Sequence, residues 1–143
     1  MEWQEIVLEL REIAQVQTLE EQLQQLMTDL EMPAEKQLDL RLCLLEAVHN
    51  GIIHGNQEQA DKKVTVCWRY RKGEFIFSVT DEGEGFTPQK EVNLPEDILA
   101  EDGRGLMLLQ LLLDKIWYNE SGNTLNGQLT WLAESGDKVR NKI

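Results

Sequence analysis

The sequence predicts an α+β fold, a two-layer sandwich whose mixed, mostly antiparallel sheet is covered on one face by helices. Three observations carry that prediction. The hydrophobic period changes from two to between three and four just after residue 10. Runs of β-branched and aromatic residues then return in pairs, once in the middle of the chain and once near its end. The resulting order is β-α-α-β-β-loop-α-β-β, without internal repeats or low-complexity linkers.

In "WQEIVLEL", Ile6, Leu8 and Leu10 alternate with polar neighbours, as in a half-buried edge strand. From residue 13 to 30, Val16, Leu19, Leu23, Leu26 and Leu30 step by three and four, and the opposite face is Gln and Glu. This is an amphipathic helix whose stripe packs on the sheet. "EMP" ends it, and Pro33 suits the first position of a second helix, where its missing N–H costs nothing. That helix is expected to run to about His54, with a core stripe of Leu38, Leu42, Leu45, Val48 or His49, and Ile52, and to stop at Gly55 in a left-handed conformation.

"KKVTVCWRY" and "EFIFSVT", joined by "RKG", form an antiparallel hairpin. A loop follows at "DEGEGFTP", and residues 87–102, with two prolines and five carboxylates, form a surface segment. "GRGLMLLQLLLDKI" opens on glycines and continues as a buried helix, and "KIWYNE" and "QLTWLAE" around "SGNTLNG" read as a last hairpin.

The 143 residues suit one domain, 1–143, large enough for a single core. A formal charge of −12, from 14 basic and 26 acidic residues, argues against a nucleic-acid footprint and points to basic or neutral partners. No apolar run approaches the roughly 20 residues needed to span a bilayer, and "MEWQEIVLEL" lacks the basic flank of a signal peptide, so a cytoplasmic protein is expected. Cys43 and Cys67 lie in periodic apolar segments without metal-ligand spacing and are expected to be reduced packing residues.

Against that background, "LLEAVHNGIIHGN" is unusual. Glu46 and Asn50 lie four apart, so their side chains leave one helical face a turn from each other. An isolated pair of this kind is more often the wet side of a helix. "DEGEGF" follows a strand directly and places Asp81 at its end, with Gly83 and Gly85 allowing close backbone approach to a ligand. "DGRGL" leads into a helix, where unpaired N–H groups and the helix dipole favour an anion. Singly, each is an ordinary turn.

Together, Glu-x-x-x-Asn, Asp-x-Gly-x-Gly after a strand and Gly-x-Gly opening a helix, within about 60 residues, resemble the boxes of the histidine-kinase-like (GHKL) ATPase superfamily and its Bergerat fold. The forms "EAVHNGIIHGN", "VTDEGEGF" and "GRGLMLLQLLLDKI" are most similar to those of the anti-sigma factor serine/threonine kinases. The resemblance implies ATP and Mg²⁺ as ligands, with Asn50 holding the metal and Glu46 acting as general base. It implies that Asp81 accepts a hydrogen bond from the adenine amino group, that Gly83, Gly85 and Phe86 shape the adenine pocket, and that Gly103, Arg104, Gly105 and Leu106 form the phosphate loop beneath a lid at 87–102.

Arg104 is expected to contact phosphate, a guanidinium fork suiting that group; the competing expectation is an exposed pair with Asp102. His49 is expected to pack in the core, His54 to interact with the helix C-terminus, with a place at the pocket mouth as its competing expectation, and Lys62, Lys63 and Lys90 to be surface charge. Relatives carry Gly-Thr near the end; here Gln128 follows Gly127, and Thr130 is the substitute carried over.

The function implied is an ATP-dependent serine/threonine kinase that binds a sigma factor and phosphorylates a STAS-domain anti-sigma-factor antagonist, acting as a homodimer without membrane or nucleic-acid contact. A non-catalytic ATP-binding regulatory module is the alternative; the ATPase module of a histidine kinase ranks after both.

Overall fold

The computed structural model describes residues 2–59, 61–83 and 101–131, with backbone alone at 101–104. The elements run β1 (Gln4–Leu10), a short 3-10 turn (Ile13–Gln15), α1 (Val16–Asp29), α2 (Ala34–Asn50), a π-helical turn (Gly51–Gly55), β2 (Val64–Arg71), β3 (Glu74–Thr80), α3 (Glu101–Leu112), β4 (Lys115–Tyr118) and β5 (Thr124–Thr130). The strands form one sheet in the order β1-β2-β3-β5-β4. All four described pairings are antiparallel. No helix of the described residues is long and apolar enough to cross a membrane.

Strand alternation sorts the sheet into a covered face and an open one. Rows such as Leu8, Val66, Val79 and Leu125 lie side by side across the strands and turn toward the helices. In the next row Trp68 and Phe77 are buried, and Gly127 makes room for the Phe77 ring, which a Cβ there would strike. The stripe of α1 is part of this core: Leu19, Leu23 and Leu30 are buried, with Val16 and Leu26 partly so. Each fully buried leucine stabilises the fold by about 1.5–3 kcal/mol. That packing role leaves the α1 stripe unavailable to a partner in this conformation.

The end of α1 is set by local hydrogen bonds. Glu31 has φ 54°. Its N–H donates to the Thr28 carbonyl at 3.0 Å, and the N–H of Met32 donates to the Met27 carbonyl at 3.1 Å. This Schellman closure satisfies carbonyls the helix would leave unpaired, and it frees the chain to enter α2 at Pro33.

Three expectations need correction. On α2 the buried face is Leu40, Cys43, Leu44, Ala47 and Val48, continued by Ile52 in the π-helical turn, whereas Leu38 and Leu42 are 51% and 42% exposed and His49 faces solvent. Leucines at 38, 40, 42, 44 and 45 give the helix two apolar faces, so periodicity did not choose between them. Gly55 is absent from the positive-φ glycines, so it is not a left-handed stop. The last hairpin is tighter than expected, with β5 starting at Thr124. The Asn119 side-chain oxygen closes the turn by accepting the N–H groups of Asn123 and Thr124 at 3.1 and 3.2 Å, an Asn-based turn that hydropathy does not register.

Candidate functional site

Helix α2 does not stop at Asn50 but passes into the π-helical turn Gly51–Gly55. Such widened turns occur frequently at functional sites. Here the turn brings Gly55 beside the end of β3. A Cβ at Gly55 would overlap the Asp81 carboxylate, and one at Gly83 would overlap the Gly55 carbonyl oxygen. The two glycines therefore permit two loops, distant in sequence, to touch.

A cavity of about 680 Å³ opens between the end of α2, the end of β3, α3 and the β4–β5 turn, a size suited to a small molecule. Asn50, His54, Asp81, Gly83, Leu106 and Asn123 are among the residues lining it. Four of the sequence-derived candidates thus share one wall system: Asn50, Asp81, Gly83 and Leu106. Glu46 lies one turn before Asn50, outside that wall, and its carboxylate lies against Gly105 of α3. Both Glu46 and Asn50 are half-buried.

Asp81 is the most constrained of these groups. Its Oδ1 accepts the Gly83 N–H at 2.8 Å. Its own N–H donates to the Asn123 carbonyl at 3.0 Å, and its carbonyl accepts from Asn123 Nδ2 at 3.4 Å. Burial raises the proton affinity of the carboxyl above its ordinary value, with the Gly83 amide and the Lys62 charge working in the opposite direction. The Tyr118 phenol, also on the cavity wall, is raised by burial and further by the Asp81 charge.

The remaining candidates divide. Gly85 and Phe86 lie outside the described residues, as do residues 87–100 of the expected lid and the Arg104 side chain, whereas Glu101 and Asp102 belong to α3. Gly103 and Gly105 do not form a loop ahead of the helix, because α3 starts at Glu101 and includes both; glycine inside a helix costs only about 1 kcal/mol. Thr130 is not at the cavity. Alternation turns it to the open face, its hydroxyl donates to Asp114 at 2.5 Å, and it pairs with Glu74 at the far end of β3 from Asp81. Gln128 also faces away, bonding Glu74 at 2.5 Å.

Sequence reasoning missed Asn56, Asn123 and Tyr118, and it put Lys62 among surface charges although it lines the cavity. The "HGN" beside the first box was the available signal for Asn56, but Asn after Gly ordinarily marks only a turn.

The donor set suits a metal that arrives with its own ligands. Among the described residues no cluster of three or more His, Cys, Asp or Glu side chains forms a metal cage. Asn50 lines the cavity and carries one side-chain oxygen that could serve as a ligand, which suits Mg²⁺ held largely by phosphate oxygens and water.

Comparison with known proteins agrees with this architecture. The family described as the histidine kinase-like ATPase domain matches residues 10–129. The anti-sigma F factor of Halalkalibacterium halodurans is 28% identical over 86 residues, covering 57% of this chain and 59% of the relative. That of Bacillus velezensis is 28% identical over 87 residues, covering 58% and 60%. The aligned segments thus span less than two thirds of each relative. Among solved structures, the RsbU and RsbW domains of Rv1364c from Mycobacterium tuberculosis superpose with a TM-score of 0.59 at 17% identity, covering 91% of this chain and 31% of that one. At that identity the likeness speaks for the fold.

Proposed function

The chain belongs to the histidine kinase-like ATPase family, and on that premise we propose that it is an anti-sigma regulator acting as an ATP-dependent serine/threonine protein kinase. In this reading it binds a sigma factor and phosphorylates a STAS-domain antagonist, which exchanges one partner for the other. The names of the two anti-sigma F factor relatives support the regulatory class. The observation that carries the kinase reading is the placement of Glu46 and Asn50 on one face of α2, Asn50 on the cavity wall and Glu46 one turn before it, against Gly105 of α3.

Each residue then has a task. Asp81 accepts from the adenine amino group, and Gly55 and Gly83 keep the base pocket free of side chains. Asn50 would hold Mg²⁺, which supplies charge neutralisation on the phosphate oxygens when bound. Glu46 takes the proton of the substrate hydroxyl as its oxygen bonds to the γ-phosphorus, and the bridging oxygen leaves with ADP. The substrate hydroxyl comes from the antagonist, outside the chain, so the base need not line the nucleotide cavity itself. Cytoplasmic location and a homodimer complete the reading.

The test is transfer of radiolabel from [γ-³²P]ATP to STAS-domain proteins encoded near this gene, with ATP binding measured in parallel. Wild type is expected to label one of them, and Glu46→Gln to bind ATP while transferring at least about a hundredfold less. Tight Mg-ATP binding without labelling would replace the kinase with a nucleotide-gated binding module.

A further inference from the structure

Asn56 is the only buried polar residue in the described structure, 2% exposed. It is outside the cavity wall, and its side chain makes two hydrogen bonds, one of them to a residue 26 positions away. Oδ1 accepts the N–H of Glu82 at 2.7 Å, and Nδ2 donates to the Lys63 carbonyl at 3.0 Å. The first of these bonds falls between Asp81 and Gly83. Three consecutive amides are therefore held in three different ways: Asp81 by the Asn123 carbonyl, Glu82 by Asn56, and Gly83 by the Asp81 carboxylate itself.

The loop that carries Asn56 is strained on its other side. Gln57 and Glu58 follow directly with φ 53° and 58°, two successive non-glycine residues in the left-handed region. Such conformations persist only where the surroundings over-determine them. Here the Glu58 N–H donates to the Ile52 carbonyl at 2.9 Å and the Gln59 N–H to the Asn56 carbonyl at 3.1 Å. The buried Asn56 amide anchors the start of this loop to the end of β3 and the approach to β2. Removing it would leave the Glu82 N–H and the Lys63 carbonyl without their partner, and would loosen the peptide that joins Asp81 to the Gly83 amide its carboxylate accepts.

We infer that Asn56 is a positioning residue for base recognition: by holding the Glu82 amide it fixes the Asp81 carboxylate at the angle from which an exocyclic purine amine is read. This rests on the adenine-binding reading of Asp81. It goes beyond it by assigning discrimination between purines to a side chain that touches no ligand. A merely structural asparagine would weaken all nucleotides alike. A positioning residue weakens those that carry the amine and spares those that do not.

The experiment compares equilibrium binding of ATP and inosine triphosphate, whose 6-position is a carbonyl, to the full chain as wild type and as Asn56→Ala, with thermal unfolding of both. Wild type is expected to favour ATP by about tenfold or more, the scale of one hydrogen bond to a charged group. In Asn56→Ala the ATP affinity is expected to fall by about tenfold while inosine triphosphate changes less than about threefold. An unchanged ratio of the two affinities overturns the inference. Absence of preference in wild type overturns the Asp81 reading and the inference with it. Should Asn56→Ala not fold, amide exchange in ligand-free wild type decides: the Glu82 N–H is expected to be protected at least as well as that of Gly83, and exchange at the rate of an open loop overturns the proposal.

Discussion

Gly105 of α3 lies against the Glu46 carboxylate of α2, so close that a Cβ at position 105 would overlap Oε2. The atoms it would meet are all in the Glu46 side chain, the outer end of a flexible group. Gly105→Ala is therefore expected to displace the carboxylate and leave the helices in place. Misplacing a base by about an ångström costs on the order of a hundredfold in rate. Phosphotransfer is expected to fall by about that factor with little change in the unfolding midpoint. A parallel loss of stability would show that the contact holds the helices together instead.

Gly83 contrasts with this, because its added Cβ would meet the backbone carbonyl of Gly55 rather than a side chain. A backbone does not rotate away. Gly83→Ala is expected to push the two loops apart, lowering stability by about 1–3 kcal/mol as overpacking does and weakening ATP binding with it. Chemical denaturation and nucleotide titration of the same preparation check both.

For Asp81 the pH dependence of stability and of binding should run in opposite directions. Burial raises its proton affinity in the folded state. Its contribution to stability is thus fully present below the unfolded-state value and lost as pH rises through the raised folded one. Asp81→Asn removes that loss, so the variant is expected to be the more stable at neutral pH, with the gap closing on acidification toward about pH 4. ATP binding by wild type needs the ionised acceptor and is expected to weaken over the same descent. Urea midpoints and ATP affinities of both proteins between about pH 4 and about pH 7 test this.

The two faces of α2 give a stability test independent of nucleotide. Leu40 and Leu44 are fully buried, while Leu38 and Leu42 are 51% and 42% exposed. Leu44→Ala is expected to cost about 2–5 kcal/mol. Leu38→Gln is expected to stay within about 0.5 kcal/mol of wild type. Equal losses at the two positions would mean that the outer leucines are covered in solution.

Much of the site was legible because its signals are local. Asp81 was placed at a strand end by the alternation of "FIFSVT", and β3 does end at Thr80. The pairing of Glu46 with Asn50 on one helical face followed from their spacing alone. Thr130 lies away from the cavity for an equally local reason: strand alternation turns it from the helices, while Asn123, just before β5, and Leu125 within it line the cavity.

By itself the sequence determined the kind and order of the elements, the family boxes and the candidate carboxylates, because hydrophobic period and turn chemistry act between near neighbours. Only the tertiary structure decided which face of α2 is buried, that Gly55 and Gly83 meet over Asp81, and that Asn56 is an internal strut whose bond to the Glu82 amide spans 26 positions. Those choices depend on which surfaces the sheet presents. Where a helix has apolar residues all round, or an asparagine suits either a turn or a buried bond, local preference is satisfied both ways and packing makes the selection.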